Sequence, residues 1–170
     1  MSDLDFRPAT LDDVAGLHAL IERAYRGETA RAGWTHEADL LFDARTSAAE
    51  LFALIADPER VVLLALRDGV LIGCVQVARA GDDRAYLGML TVEPTLQAGG
   101  LGRRLLAAAE DHARLRFGAQ RMEMTVIRTR GELIAWYQRR GYAPTGEERP
   151  FPVSPPRPEL GFIVLEKRLH

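Results

Sequence analysis

Three glycines at one strand-to-helix junction carry the clearest chemistry in this chain. In Val92-Glu-Pro94-Thr-Leu-Gln97-Ala98-Gly99-Gly100-Leu101-Gly102-Arg103-Arg104-Leu105 an apolar run stops, Pro94 closes it because proline cannot donate to a ladder, and a helix begins on glycine. The first turn of a helix has amides without intrahelical partners and carries the positive end of the helix dipole. Gly99, Gly100 and Gly102 remove the side chains that would keep an anion off those amides, so a pyrophosphate fits there. Arg103 and Arg104 add charge within reach of phosphate oxygens, although exposed arginines on an amphipathic helix also make an ordinary solvated face. A glycine turn can equally be a tight connection with no ligand, so spacing has to decide. A mononucleotide loop needs Gly-Lys-Ser/Thr at the helix start, and Gly102 is followed by two arginines with no hydroxyl for magnesium. A dinucleotide fingerprint needs a different glycine spacing and an acidic residue about twenty positions on. Neither matches.

The elements that must position this turn read clearly. Ala85–Val92 is short, apolar and β-prone, and reads as a strand. Leu101, Leu105, Leu106, Ala109, Ala113 and Phe117 recur at helical spacing, which predicts a helix from about Gly100 to Phe117. Upstream, a first strand near Asp5–Pro8 leads through the capping box of Thr10 and Asp13 into a helix bearing Val14, Leu17, Leu20, Ile21, Ala24 and Tyr25. Ser47 opens a second helix that Asp57-Pro58 ends. Arg60–Arg67, Asp68-Gly69 and Val70–Val77 predict a tight hairpin. Downstream come a strand at Met122–Val126, a helix at Gly131–Arg140, and two strands near Tyr142–Glu148 and Gly161–Lys167, separated by a proline-rich loop.

Two motifs in this order resemble the GNAT superfamily of N-acetyltransferases. The family's acyl-coenzyme A signature is Gln or Arg, two residues, Gly, one residue, Gly or Ala, and here it reads Gln97-Ala98-Gly99-Gly100-Leu101-Gly102 after Val92-x-Pro94. The second motif, Glu132-Leu-Ile-Ala-Trp136-Tyr137-Gln-Arg-Arg140-Gly-Tyr142, is similar to the family's helix that ends in Tyr before Gly-Phe or Gly-Tyr. The resemblance is specific from about Val61 to Tyr142. It implies an α/β fold, with a mixed, mostly antiparallel seven-stranded sheet flanked by about four helices in a single domain over 1–170. Acetyl-CoA would lie as co-substrate between the fourth and fifth strands. It implies backbone contacts from Leu90, Thr91 and Val92 to the pantetheine, phosphate contacts from Gln97, Ala98, Gly99, Gly100, Leu101, Gly102 and Arg103, and Tyr137 as the acid that protonates the leaving thiolate. Tyr137 also fits a core tyrosine packed with Leu133 and Ile134. Relatives place a bulge in the fourth strand, and Gly88 is where glycine would mark one. The family often has Asn and Ala where this chain has Arg130 and Leu133.

Many relatives carry Glu six positions before the Val of Val-x-Pro, and Tyr86 stands there. Glu123 is the remaining strand carboxylate for a base. It shares a face with Thr125, so it takes a proton through water if that face lines the cleft and is idle charge if the face meets solvent. Glu37, close to Trp34, could bind a cationic amine with the indole offering a π face, although a Trp under a loop is the commoner arrangement.

Composition narrows the partners. At 170 residues and 47% apolar content the chain can bury a core without disulfides or metal, and a net charge of −2 with no basic run calls for neither nucleic acid nor membrane. Lone Cys74 in an apolar run reads as a buried small hydrophobe, and His36 and His112 have no metal-ligand spacing, so no metal is expected. The start is acidic and no apolar run approaches a membrane span, which leaves the cytoplasm as the expected place. Together with these limits, the resemblance implies an acetyl-CoA-dependent transferase acting by direct attack of a small-molecule primary amine, as a monomer or homodimer. The alternatives are a peptide or protein N-acetyltransferase and a non-catalytic acyl-CoA sensor.

Overall fold

The computed structural model describes residues 3–32, 46–151, 155 and 160–170; the side chains of residues 25–32, 97 and 98 lie outside that description. Strand β1 (Leu4–Pro8) passes through the capped turn Leu11–Asp13 into α1 (Val14–Ala32). The turn holds because the Asp13 carboxylate accepts from the Thr10 amide at 2.7 Å while Arg7 forks onto the same carboxylate at 2.8 and 3.0 Å. Helix α2 (Ala48–Ala56) starts where expected, with the Ser47 hydroxyl accepting from the Glu50 amide. The hairpin of β2 (Arg60–Arg67) and β3 (Val70–Arg79) turns on Asp68 and Gly69, both at positive φ. Strand β4 (Arg84–Val92), the turn Pro94–Gly99, α3 (Leu101–Arg116), β5 (Arg121–Ile127), α4 (Gly131–Gln138), β6 (Ala143–Arg149) and β7 (Phe162–Arg168) complete the order.

All seven strands form one sheet in the order β1-β2-β3-β4-β5-β7-β6. Every neighbouring pair is antiparallel except β4 and β5, whose parallel pairing requires a crossover, supplied by α3. The mixed, mostly antiparallel sheet and four α-helices among the described residues agree with the expected fold.

The core lies in two layers. One face of the sheet buries Leu101, Leu105, Leu106, Ala109 and Ala113 of α3 and Tyr137 of α4 against Val75, Val77, Leu87, Met122 and Met124. The other face packs Val14, Leu17, Leu20 and Ile21 of α1 and Leu51 and Leu54 of α2 against Val62, Leu64 and Cys74. Helix α3 approaches β3 so closely that a Cβ on Gly73 would stand 2.7 Å from Leu105 and 3.0 Å from the Thr91 carbonyl, so only glycine fits there. This seat fixes where the first turn of α3 meets the end of β4.

Candidate active site

The two central strands part at the site. Pairing between β4 and β5 runs from Arg84↔Arg121 to Tyr86↔Glu123 and stops, so from Leu87 onward the edge of β4 that faces β5 has no ladder partner. The cause is a bulge. Against β3 the register steps from Gln76↔Gly88 to Cys74↔Thr91, and Met89 takes a positive φ of 54°. Leu87 packs on the α3 face, Met89 on the α1 face, and Leu90 and Val92 again on the α3 face. Gly88 itself stays paired with Gln76, which corrects the expectation that glycine would carry the bulge: the irregularity begins one residue later. The Met89 carbonyl is held by the Thr91 hydroxyl at 2.9 Å and the Cys74 thiol at 3.7 Å, and the methionine side chain is packed in the core. Those contacts, one local and the others tertiary, stabilise a conformation that methionine would not choose alone. Cys74 is fully buried, and desolvation pushes its thiol up to about 12, leaving it a hydrophobe with a weak donor.

At the end of β4, Thr91 pairs with Cys74 and Val92 with Gly73, and the Glu93 amide donates to the Ile72 carbonyl at 2.8 Å. Arg23 of α1 reaches across to Glu93 at 2.8 Å, fixing the entry to Pro94–Gly99, the turn that contains Gln97, Ala98 and Gly99. Gly100 then adopts φ 79°, ψ 6°, the left-handed conformation that reverses the chain into α3, and it caps the helix without any side-chain hydrogen bond. The first-turn amides of Leu101, Gly102 and Arg103 are therefore presented without a side-chain cap, beside the unpartnered edge of β4. Bare amides, a helix dipole and a strand edge with unused backbone groups fit an extended, phosphate-bearing thiol carrier.

Helix α4 closes over this junction. The Trp136 indole lies 3.7 Å from the position a Gly102 Cβ would take, with Val92 3.8 Å from the same point. Tyr137, next in sequence, is buried and packs edge-on against Trp136 (5.0 Å between centroids) and Tyr142 (5.9 Å). It belongs to the cluster against which Leu90, Val92, Leu133 and Ile134 also pack. Tyr142 is no rival as an acid. Its hydroxyl donates to Glu110 at 2.8 Å, and burial together with the Glu110 charge holds it protonated far above the usual tyrosine range. Lys167 neutralises Glu110 from the other side at 3.0 Å, so Tyr142 pins the chain just after Tyr137 to α3 and β7.

On the opposite face, Glu123 shares a side with Thr125 as alternation requires, but in neither environment weighed from the sequence. Its carboxylate is buried and lies 3.4 Å from Arg84 and 3.3 Å from Arg149, at the end where β4 and β5 are still paired. One guanidinium faces each of its two carboxylate oxygens. Beyond it, the hydroxyls of Tyr86 and Thr125 meet at 2.7 Å across the line where the strands separate, with the Tyr86 ring close to Gly88. Trp34, His36 and Glu37 lie outside the described residues. His112 is half-buried against Phe117, and burial, then Arg116, lowers its pKa. Among the described residues no cluster of His, Cys, Asp or Glu could hold a metal ion, and no helix is long and apolar enough to cross a membrane.

Two features of the site give no signal in the sequence, and a third does. Met89 gives no signal in its residue type. The Tyr86–Thr125 contact joins residues 39 positions apart on two strands whose register no local pattern gives. Trp136 and Arg140 do carry one, an aromatic and a cation spaced i, i+4 directly around Tyr137.

Comparison with known proteins accords with this geometry. A model of the acetyltransferase (GNAT) family matches residues 17–142. An IAA acetyltransferase of Azospirillum brasilense is 32% identical over 118 residues, spanning 68% of this chain and 72% of that protein. Among solved structures, the PaiA N-acetyltransferase of Thermoplasma acidophilum in complex with coenzyme A aligns with a TM-score of 0.76 at 17% identity over 98% of this chain and 99% of that one. YncA of Salmonella typhimurium with its cofactor acetyl-CoA aligns with a TM-score of 0.72 at 21% identity, over 99% and 95%. At these identities the structural likeness concerns the fold.

Proposed function

The chain belongs to the GNAT acetyltransferase family, and from that premise we propose that it transfers an acetyl group from acetyl-CoA to a primary amine of a small molecule by direct attack. One observation carries the reading: the unpartnered edge of β4 past Tyr86 lies beside the uncapped first turn of α3, where Val92 stands 3.8 Å from the Cβ position of Gly102, so one ligand can use both. The relatives crystallised with coenzyme A or acetyl-CoA support the same donor.

Bound there, acetyl-CoA supplies an activated acyl thioester. Backbone groups of Leu90, Thr91 and Val92 would align it along β4, and the turn from Gln97 to Arg103 would hold its phosphates. Holding donor and amine together removes much of the entropic barrier, so no covalent enzyme intermediate is needed. As the carbon–nitrogen bond forms and the carbon–sulfur bond breaks, the Tyr137 hydroxyl gives its proton to the leaving sulfur, and the amine's proton leaves through water. A phenol pKa of about 10 against about 8.5 for a thiol makes that transfer slightly uphill but feasible. Glu123 is assigned no part in it, since its two arginines explain its burial. The amine enters from the face bearing Tyr86 and Thr125, and Trp34 and Glu37 are kept as its proposed contacts. The lone buried cysteine suits a reducing cytoplasm.

Calorimetric titration with acetyl-CoA, followed by a thiol-release assay against amines, amino acids and peptides, tests the reading. Binding with release for small amines is the expected result. Release with peptides alone would move the assignment to a protein acceptor, binding without release would make the chain a sensor, and absence of binding would overturn the reading.

A further inference from the structure

Helix α4 ends in an arrangement that its own packing does not explain. The Arg140 guanidinium stacks 3.8 Å above the Trp136 ring, and its Nη1 donates to the Trp136 carbonyl at 2.8 Å. The stacked pair is therefore held rigidly, and the indole beneath it rests against Gly102. Arg140 Nε is buried with no hydrogen-bond partner. Arg103 stands on the adjoining turn, its Nη2 3.9 Å from the Cβ position of Gly100, and Arg139 precedes Arg140. Among the described residues no carboxylate forms an ion pair with any of these three arginines, although ion pairs are plentiful elsewhere on the molecule. Burial first, and then the like charges of Arg139 and Arg103, disfavour the charged form of Arg140. Three cations crowded together, one with a buried unused donor and a fork fixed by stacking, make a costly arrangement for the free protein and a preorganised one for an anion.

We infer that Arg140, held by Trp136 and acting with Arg103, binds a phosphate of the nucleotide end of the donor and so selects full coenzyme A thioesters over donors that end at the pantetheine. The inference rests on the acetyl-CoA reading and deepens it. The guanidinium supplies donors that the turn at Gly100 does not, from a different helix, so ligand binding would also join α4 to α3 and seat Tyr137.

The test is calorimetry of the full chain, wild type and Arg140→Gln, with coenzyme A and with 3′-dephospho-coenzyme A at two salt concentrations. Arg140→Gln should weaken coenzyme A binding about tenfold and flatten its salt dependence, as expected for one lost charge-assisted contact. A similar loss with the dephospho compound would place the contact on the pyrophosphate, and a loss confined to coenzyme A would place it on the 3′-phosphate; either supports the inference. Thermal melting separates binding from folding: without ligand the variant should melt no lower than wild type, because an unpaired partly buried charge is gone. Should it melt lower, the exposed Arg103→Gln replaces it and should also weaken binding. Wild-type binding with undiminished affinity in both variants overturns the inference alone. No wild-type binding removes the acetyl-CoA reading and the inference with it.

Discussion

The hydroxyls of Tyr86 and Thr125 lie 2.7 Å apart, bridging β4 and β5 immediately past their last paired residues, Tyr86 and Glu123. The bridge sits where the sheet opens, on the face away from α3, and puts a polar pair where the motif resemblance implies a carboxylate. Tyr86→Phe should leave the acetyl-CoA dissociation constant within about twofold and lower kcat/KM for the amine roughly five- to tenfold, the worth of one hydrogen bond. Calorimetry and initial rates check it. A drop in coenzyme affinity instead would move Tyr86 to the donor side.

Tyr137→Phe keeps the aromatic packing with Trp136 and Tyr142 and removes the hydroxyl proposed as the proton donor. Turnover should fall about 10²-fold or more, with coenzyme affinity and melting temperature nearly unchanged. Equal turnover in the thiol-release assay would return Tyr137 to the core.

Gly100 and Gly99 are neighbours with opposite demands. Gly100 needs φ 79°, whereas a Cβ on Gly99 would meet nothing within 4 Å and no positive φ is imposed. Denaturant unfolding should show Gly100→Ala destabilised by about 1–2 kcal/mol, and Gly99→Ala within about 0.5 kcal/mol of wild type. Gly100→Glu adds bulk and like charge at the phosphate turn and should weaken acetyl-CoA binding at least about tenfold.

The Arg7 fork, then the Thr10 amide, holds the Asp13 carboxyl at about 2, against an ordinary value near 3.9 in the unfolded chain. A folded-state pKa below the unfolded one means the contribution is fully present above about pH 4 and is lost as the pH falls towards 2. The full shift corresponds to about 2.5 kcal/mol; because the Arg7 side chain is 40% exposed, solvent screening reduces the expected value to about 1 kcal/mol. Asp13→Asn should cost that much at pH 7 and flatten the stability profile between pH 4 and 2, as urea unfolding across that range would show.

The sequence by itself determined the elements and the turn. Proline, glycine and Asp-Gly punctuation act within a few residues, so the ends of β4 and α3, the hairpin at Asp68-Gly69 and the caps at Thr10 and Ser47 were all readable from local chemistry. The tertiary structure alone decided where the strands part and what surrounds each polar group. Gly88 looked like the bulge, yet the bulge starts at Met89, because Cys74 and Thr91 hold its carbonyl and the core takes its side chain. Alternation put Glu123 on the correct face, but only the packing of β4 and β6 brings Arg84 and Arg149 to its carboxylate. The Trp136 contact with Gly102 and the crowding of Arg140 with Arg103 likewise join residues more than thirty positions apart. Local pattern fixes φ, ψ and the buried face of an element; the company a side chain keeps depends on how elements pack, and no periodicity encodes that.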